Sequence, residues 1–66
     1  MPRLDKLKGR IKEKGRNYEQ LSHELGISVS AFNNKVNGRS EFDIVEAGKL
    51  SSILDIPPRD IINFFT

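Results

Sequence analysis

Three asparagines, Asn33, Asn34 and Asn37, crowd into five residues, with Ser30 just before them and Arg39 just after. A carboxamide presents a donor and an acceptor side by side, which suits hydrogen-bonded reading of a surface such as the major-groove edge of adenine, where N6 donates and N7 accepts. Catalysis fits less well. Ser22, His23 and Glu24 are hydrolase residue types, but neighbours on a helix point about 100° apart and cannot form a relay. His23 is the only histidine and the chain has no cysteine, so neither a thiolate nucleophile nor a zinc site is expected. The expectation is a binding protein, not an enzyme, with no cofactor.

For the amides to act together they must lie on one face of a helix. Phe32 and Val36 stand four apart and define its buried side, leaving Val29, Ser30, Asn33, Asn34 and Asn37 outward. Ser28 is a suitable N-cap, and Asn37-Gly38 closes the helix after about eight residues. Upstream, Asn17 with Gln20 makes a capping-box pattern for a helix over about 18–25, where Leu21 and Leu25 share a face. Gly26 ends it, because glycine adopts the left-handed conformation without a Cβ penalty. Leu4, Leu7 and Ile11 mark an earlier helix over about 4–14, with Gly15 as its stop. Asp43 with Glu46 opens a fourth, whose buried stripe is read as Ile44, Ala47, Leu50 and Leu54, with Ile53 flanking. Pro57-Pro58 ends that helix, and Pro58 can start a fifth, with Ile61, Ile62, Phe64 and Phe65 as its apolar face. The pattern predicts an all-α, compact bundle of five short helices in one domain, 1–66.

Two short helices joined by a Gly-centred three-residue turn fit a helix-turn-helix arrangement. Ser22 supplies the small residue at the crossing, and Ile27 and Phe32 fill the wedge between the helices. The stretch Tyr18–Arg39, with Leu25-Gly26-Ile27-Ser28 at the turn and Asn37-Gly38 after the next helix, resembles the Cro/C1-type (XRE-like) helix-turn-helix family of phage repressors. The likeness runs from about residue 4 to 66, and the run from Asn37 to Asp43 is similar to a subgroup of small phage-encoded members. It implies a lambda repressor-like DNA-binding domain and transcriptional control. Tyr18 departs from the family's pattern, where many members have Gln, and so does Val29, where a polar or basic residue often reads a base.

Carried over position by position, the resemblance implies base contacts from Ser30 and Asn34, a thymine-methyl contact from Val29, and a base or phosphate contact from Asn33. Phosphates would be held by Tyr18, Ser28, Lys35, Asn37, Arg39 and Ser40 and by backbone N–H groups at the start of the second helix. Plainer readings stand beside these. Asn34 could be a solvated polar residue, Asn37 a helix-terminating one, and the basic residues of the first helix an ordinary solvated face.

Sixty-six residues bury only roughly 60% of their unfolded surface, too little to enclose a substrate chamber for a small molecule. Charge is unevenly placed: the first sixteen residues carry +5, residues 17–40 balance, and residues 41–66 carry −3. A basic end and an acidic end orient the approach of a polyanion. The longest apolar run is two residues, so no membrane span or signal segment is expected and the chain reads as intracellular; the resemblance implies the cytoplasm of a bacterial cell, on the nucleoid through DNA. The expected partners are a double-stranded DNA operator and, on it, a second copy in a weak homodimer, with Phe64 or Phe65 as a dimer contact and the other in the core. Rival readings are a protein-interaction module on the same fold, the DNA-binding part of a longer repressor, and an amphipathic membrane-surface protein built on the first helix.

Overall fold

Leucine, isoleucine and phenylalanine at helical spacing, punctuated by caps and left-handed turns, build the chain. The computed structural model describes residues 4–65, and among them every regular element is helical. The order is α1 (Asp5–Glu13), α2 (Tyr18–Leu25), α3 (Val29–Val36), α4 (Ile44–Ile53), a single 3₁₀ turn (Pro58–Asp60) and α5 (Ile61–Phe65). Three of these starts are fixed by side chains. Asn17 accepts from the Gln20 N–H at 2.8 Å while the Gln20 carboxamide accepts from the Asn17 N–H. Ser28 Oγ accepts from the Ala31 N–H at 3.0 Å. Asp43 and Glu46 form a second reciprocal box. Each satisfies donors that a helix start otherwise leaves open.

The four longer helices end alike. Arg16, Ile27, Arg39 and Ile56 each donate a backbone N–H back to the carbonyl five residues earlier, and the residue before each adopts a left-handed backbone. Gly15, Gly26 and Gly38 fill that position in three cases, as expected where a Cβ would strain the turn. Asp55 fills the fourth with φ 56°, and its carboxylate meets Lys14 Nζ at 3.0 Å, tying the end of α4 to the end of α1.

One core results, from Leu4, Leu7, Ile11, Leu21, Leu25, Phe32, Val36, Leu50, Leu54 and Ile56. Phe32 lies at its centre under Tyr18, with ring centroids 5.2 Å apart, and Phe42 and Phe65 extend the aromatic chain at 5.8 and 5.5 Å. Such tilted and edge-on pairs favour the positive ring edge against a negative face.

In two places the packing corrects the sequence reading. Ile44, expected in the buried stripe of α4, is 88% exposed, and the side facing inward carries Glu46 instead. The cause is helical spacing: Glu46, Leu50 and Leu54 stand four apart and share the inner side, where Glu46 caps its own helix and meets Lys35, while Ile44, six residues before Leu50, lies about 120° round the helix and faces solvent. At the C-terminus, Phe64 and Phe65 were expected to divide between core and exterior, yet both pack on the core. Phe65 meets Phe42, whereas Phe64 lies under the Arg10 guanidinium at 5.4 Å, so two neighbours on the helix find separate covers. Ile62, expected on the apolar face of α5, is exposed.

Candidate nucleic-acid interface

The second and third helices are clamped before any outward side chain is considered. Ser22 is buried, and its hydroxyl donates to the Glu19 carbonyl at 2.8 Å, so the small residue at the crossing leaves no unpaired polar atom. Ile27 drops back onto the core, and Phe32 and Val36 are fully buried beneath α3. The outer face of α3 is thereby set. Asn34 stands about 180° around the helix from the line of Phe32 and Val36, at roughly 100° per residue. Ser30 is exposed at the open end of this face with Val29 beside it, and Asn33 is exposed one turn on.

Asn34 is half-buried, because the loop after α3 folds over it: its carbonyl accepts from the Arg39 N–H at 2.9 Å and the Ser40 N–H at 3.4 Å. This brings Arg39 and Ser40, both exposed, to the edge of the amide face. Among the described residues Arg39 makes no ion pair, in contrast to Arg10, Lys14, Arg16 and Lys35, which pair with Glu13, Asp55, Glu24 and Glu46. At the other edge lies the start of α2. The capping box satisfies Gln20 and Asn17, and the N–H groups of Tyr18 and Glu19 in the first turn have no intrahelical acceptor. Burial against Phe32 pushes the Tyr18 phenol above its usual pKa, so at neutral pH it is a hydrogen-bond donor. Ser28 Oγ accepts from Ala31 and keeps its own proton for a second partner.

Lys35 is placed differently from the other expected phosphate contacts. Its ammonium donates to Glu46 Oε1 at 2.7 Å and to the Glu41 carbonyl at 3.2 Å, beside the Phe42 ring. The side chain binds α3 to α4 and points away from the amide face. Asn37 is also engaged: its Nδ2 donates to the Asn33 carbonyl at 2.8 Å and to Asn33 Oδ1 at 3.2 Å, while its Oδ1 accepts from Lys8 Nζ at 2.7 Å. Lys8 was missed by sequence reasoning. It lies on α1, 29 residues away, and only its charge marked it.

The chain offers a face of side-chain amides and hydroxyls on one helix, flanked by a guanidinium without an ion pair among the described residues and by a helix start. Among the described residues no group of carboxylate and imidazole side chains could hold a metal ion, and no helix is long and apolar enough to cross a membrane. A family profile described as a Cro/C1-type HTH DNA-binding domain matches residues 6–66. No curated protein and no solved structure gives a match.

Proposed function

We propose, from the premise that this chain belongs to the Cro/C1-type HTH DNA-binding domain family and is in kind a DNA-binding transcription regulator, that it acts as a Cro-like repressor by occupying an operator. The observation that carries the reading is the polar face of α3, clear of the core and bordered by a loop whose Arg39 makes no ion pair among the described residues. In the major groove, Asn34 and Ser30 contact base edges, and Val29 touches a thymine methyl. Tyr18, Ser28 and the first N–H groups of α2 grip phosphate on one side, and Arg39 and Ser40 on the other, while Asn37, expected among these contacts, keeps its carboxamide on Lys8 and Asn33. Lys35 is left out of this grip, since reaching a phosphate would cost it Glu46. The protein binds as a weak dimer assembled on DNA, on two half-sites about one helical turn apart.

Selection of bound duplexes from a random pool at moderate salt tests this directly. Two inverted half-sites about ten base pairs apart are expected, and Asn34→Ala should flatten the preference at one position per half-site while the protein stays folded. A pool without enrichment, from folded protein, would overturn the reading. Affinity should fall by roughly 10³- to 10⁵-fold between 50 and 200 mM salt if a dimer neutralises about 6–10 phosphates.

A further inference from the structure

The hydrogen bonds at the end of α3 have a direction, and Lys8 sets it. An ammonium only donates, so the Asn37 carboxamide must turn Oδ1 toward Lys8 Nζ, at 2.7 Å. Its Nδ2 then faces Asn33, where both groups within reach, the carbonyl at 2.8 Å and Oδ1 at 3.2 Å, accept. The Asn33 carboxamide is forced in turn. With Oδ1 held back against its own helix, Asn33 has its Nδ2 left to present outward, and Asn33 is exposed. Adenine recognition by both ends of a carboxamide needs Oδ1 and Nδ2 along one base edge, which this arrangement denies to Asn33.

We propose that Lys8, acting through Asn37, fixes Asn33 as a hydrogen-bond donor toward the groove and thereby determines which base is accepted at the position Asn33 faces. Guanine, with O6 and N7, thymine, with O4, and adenine, with N7, offer acceptors there, whereas cytosine offers only the N4 amine, so the base rejected is cytosine. Lys8 is a positioning residue: it lies on α1 and works on the base through two amides of α3. The inference rests on the operator reading above and adds to it a specificity determinant outside the recognition helix.

Three proteins decide the matter: the natural chain, Lys8→Met, which keeps the stem and removes the donor, and Lys8→Arg, which restores a donor. Each is put through the same duplex selection, with thermal unfolding to confirm the fold and side-chain amide NMR of Asn33 and Asn37 in the absence of DNA. In Lys8→Met the discrimination against cytosine at one position should fall by about 5-fold or more, with other positions unchanged, and Lys8→Arg should regain it. The Asn33 and Asn37 amide resonances should move in Lys8→Met. A uniform loss of affinity with an unchanged base profile would overturn the proposal, since it would make Lys8 a plain phosphate or steering charge. Unmoved amide resonances would overturn it too. Failure of the operator reading itself would look different, because the natural protein would then enrich no sequence although its amides still responded to Lys8→Met, and the specificity role would fall with it.

Discussion

Helices α3 and α4 start with the same device and both bury apolar residues, but differ in what else their inner sides take in. Ser28 caps one and Asp43 the other, through a side-chain oxygen that accepts from the N–H three residues on. Yet α3 buries Phe32 and Val36 and shows amides outside, while α4 opens with Ile44 and Val45 in solvent, 88% and 61% exposed, and draws a carboxylate inward. The difference lies in where the nearest charge is. Nothing charged competes for the inner side of α3, so apolar burial decides its rotation. At α4, Lys35 reaches across from α3, and Glu46 serves that ammonium and its own helix cap with the same oxygen. Glu46 stands four residues before Leu50 and eight before Leu54, on the side those buried leucines fix, whereas Ile44 lies about 120° from Leu50 at roughly 100° per residue, and the side chains of the Lys35–Glu46 pair are only 17% and 11% exposed.

Breaking the α3 side of the contrast should have the largest effect. Phe32→Ala removes the centre of the aromatic chain and is expected to cost about 3–5 kcal/mol, much of the total stability of a chain this small, at roughly 0.05–0.15 kcal/mol per residue. Thermal unfolding by circular dichroism would show a lost or greatly lowered transition. For α4, Glu46→Ala should cost about 2–3 kcal/mol by stranding Lys35 and opening the cap together. In the paired Lys35→Met/Glu46→Ala variant part of that loss should return, and a double-mutant cycle completed by the Lys35→Met single variant would measure it. Losses that simply add across the cycle would mean that Lys35 and Glu46 are not energetically coupled.

Gly48 sharpens the comparison from the opposite direction. A Cβ there would meet nothing within 4 Å, and the residue is exposed in mid-helix. Gly48→Ala should therefore stabilise the protein by about 0.5–1 kcal/mol, raising the midpoint by roughly 2–8 °C. Ile44→Ser should move stability by no more than about 0.5 kcal/mol, and a larger loss in denaturant titration would place Ile44 back in a core. Last is the exposed pair between the ends of α1 and α4. The hydrogen bond and charge of Lys14 hold the Asp55 carboxyl below its ordinary 3.8. Its contribution is thus complete above pH about 3.8 and fades as acid carries the pH through the lower folded value. Asp55→Asn should flatten that acid limb slightly and leave neutral stability nearly unchanged, as a pH series of unfolding curves would reveal.

Helix positions were readable because their signals are local. Asn17 with Gln20, Ser28, and Asp43 with Glu46 announce starts, and Gly15, Gly26 and Gly38 announce stops, within a few residues of the atoms they satisfy. The outward face of α3 followed from Phe32 and Val36 alone. Asp55 was harder to read as a stop, since an aspartate tolerates the left-handed turn without requiring it. Of the five residues whose spacing put them outward on α3, Val29, Ser30 and Asn33 are exposed, while Asn34 and Asn37 are half-buried. Lys35 does not join them, because position on a helix gives a direction for the side chain and no knowledge of the carboxylate it will meet.

By itself the sequence determined five helices, the side-chain caps of α2, α3 and α4, the Gly26 turn that sets α2 against α3, and the family whose profile the chain matches. Only the tertiary structure decided that Glu46 goes in and Ile44 out, that Phe64 and Phe65 both find cover, and that Lys8 orients the amides of Asn37 and Asn33. The physical reason is range. Caps and periodicity act within one or two turns of helix, whereas Lys35 with Glu46 and Lys8 with Asn37 join residues 11 and 29 apart, and such partners exist only once the helices have packed.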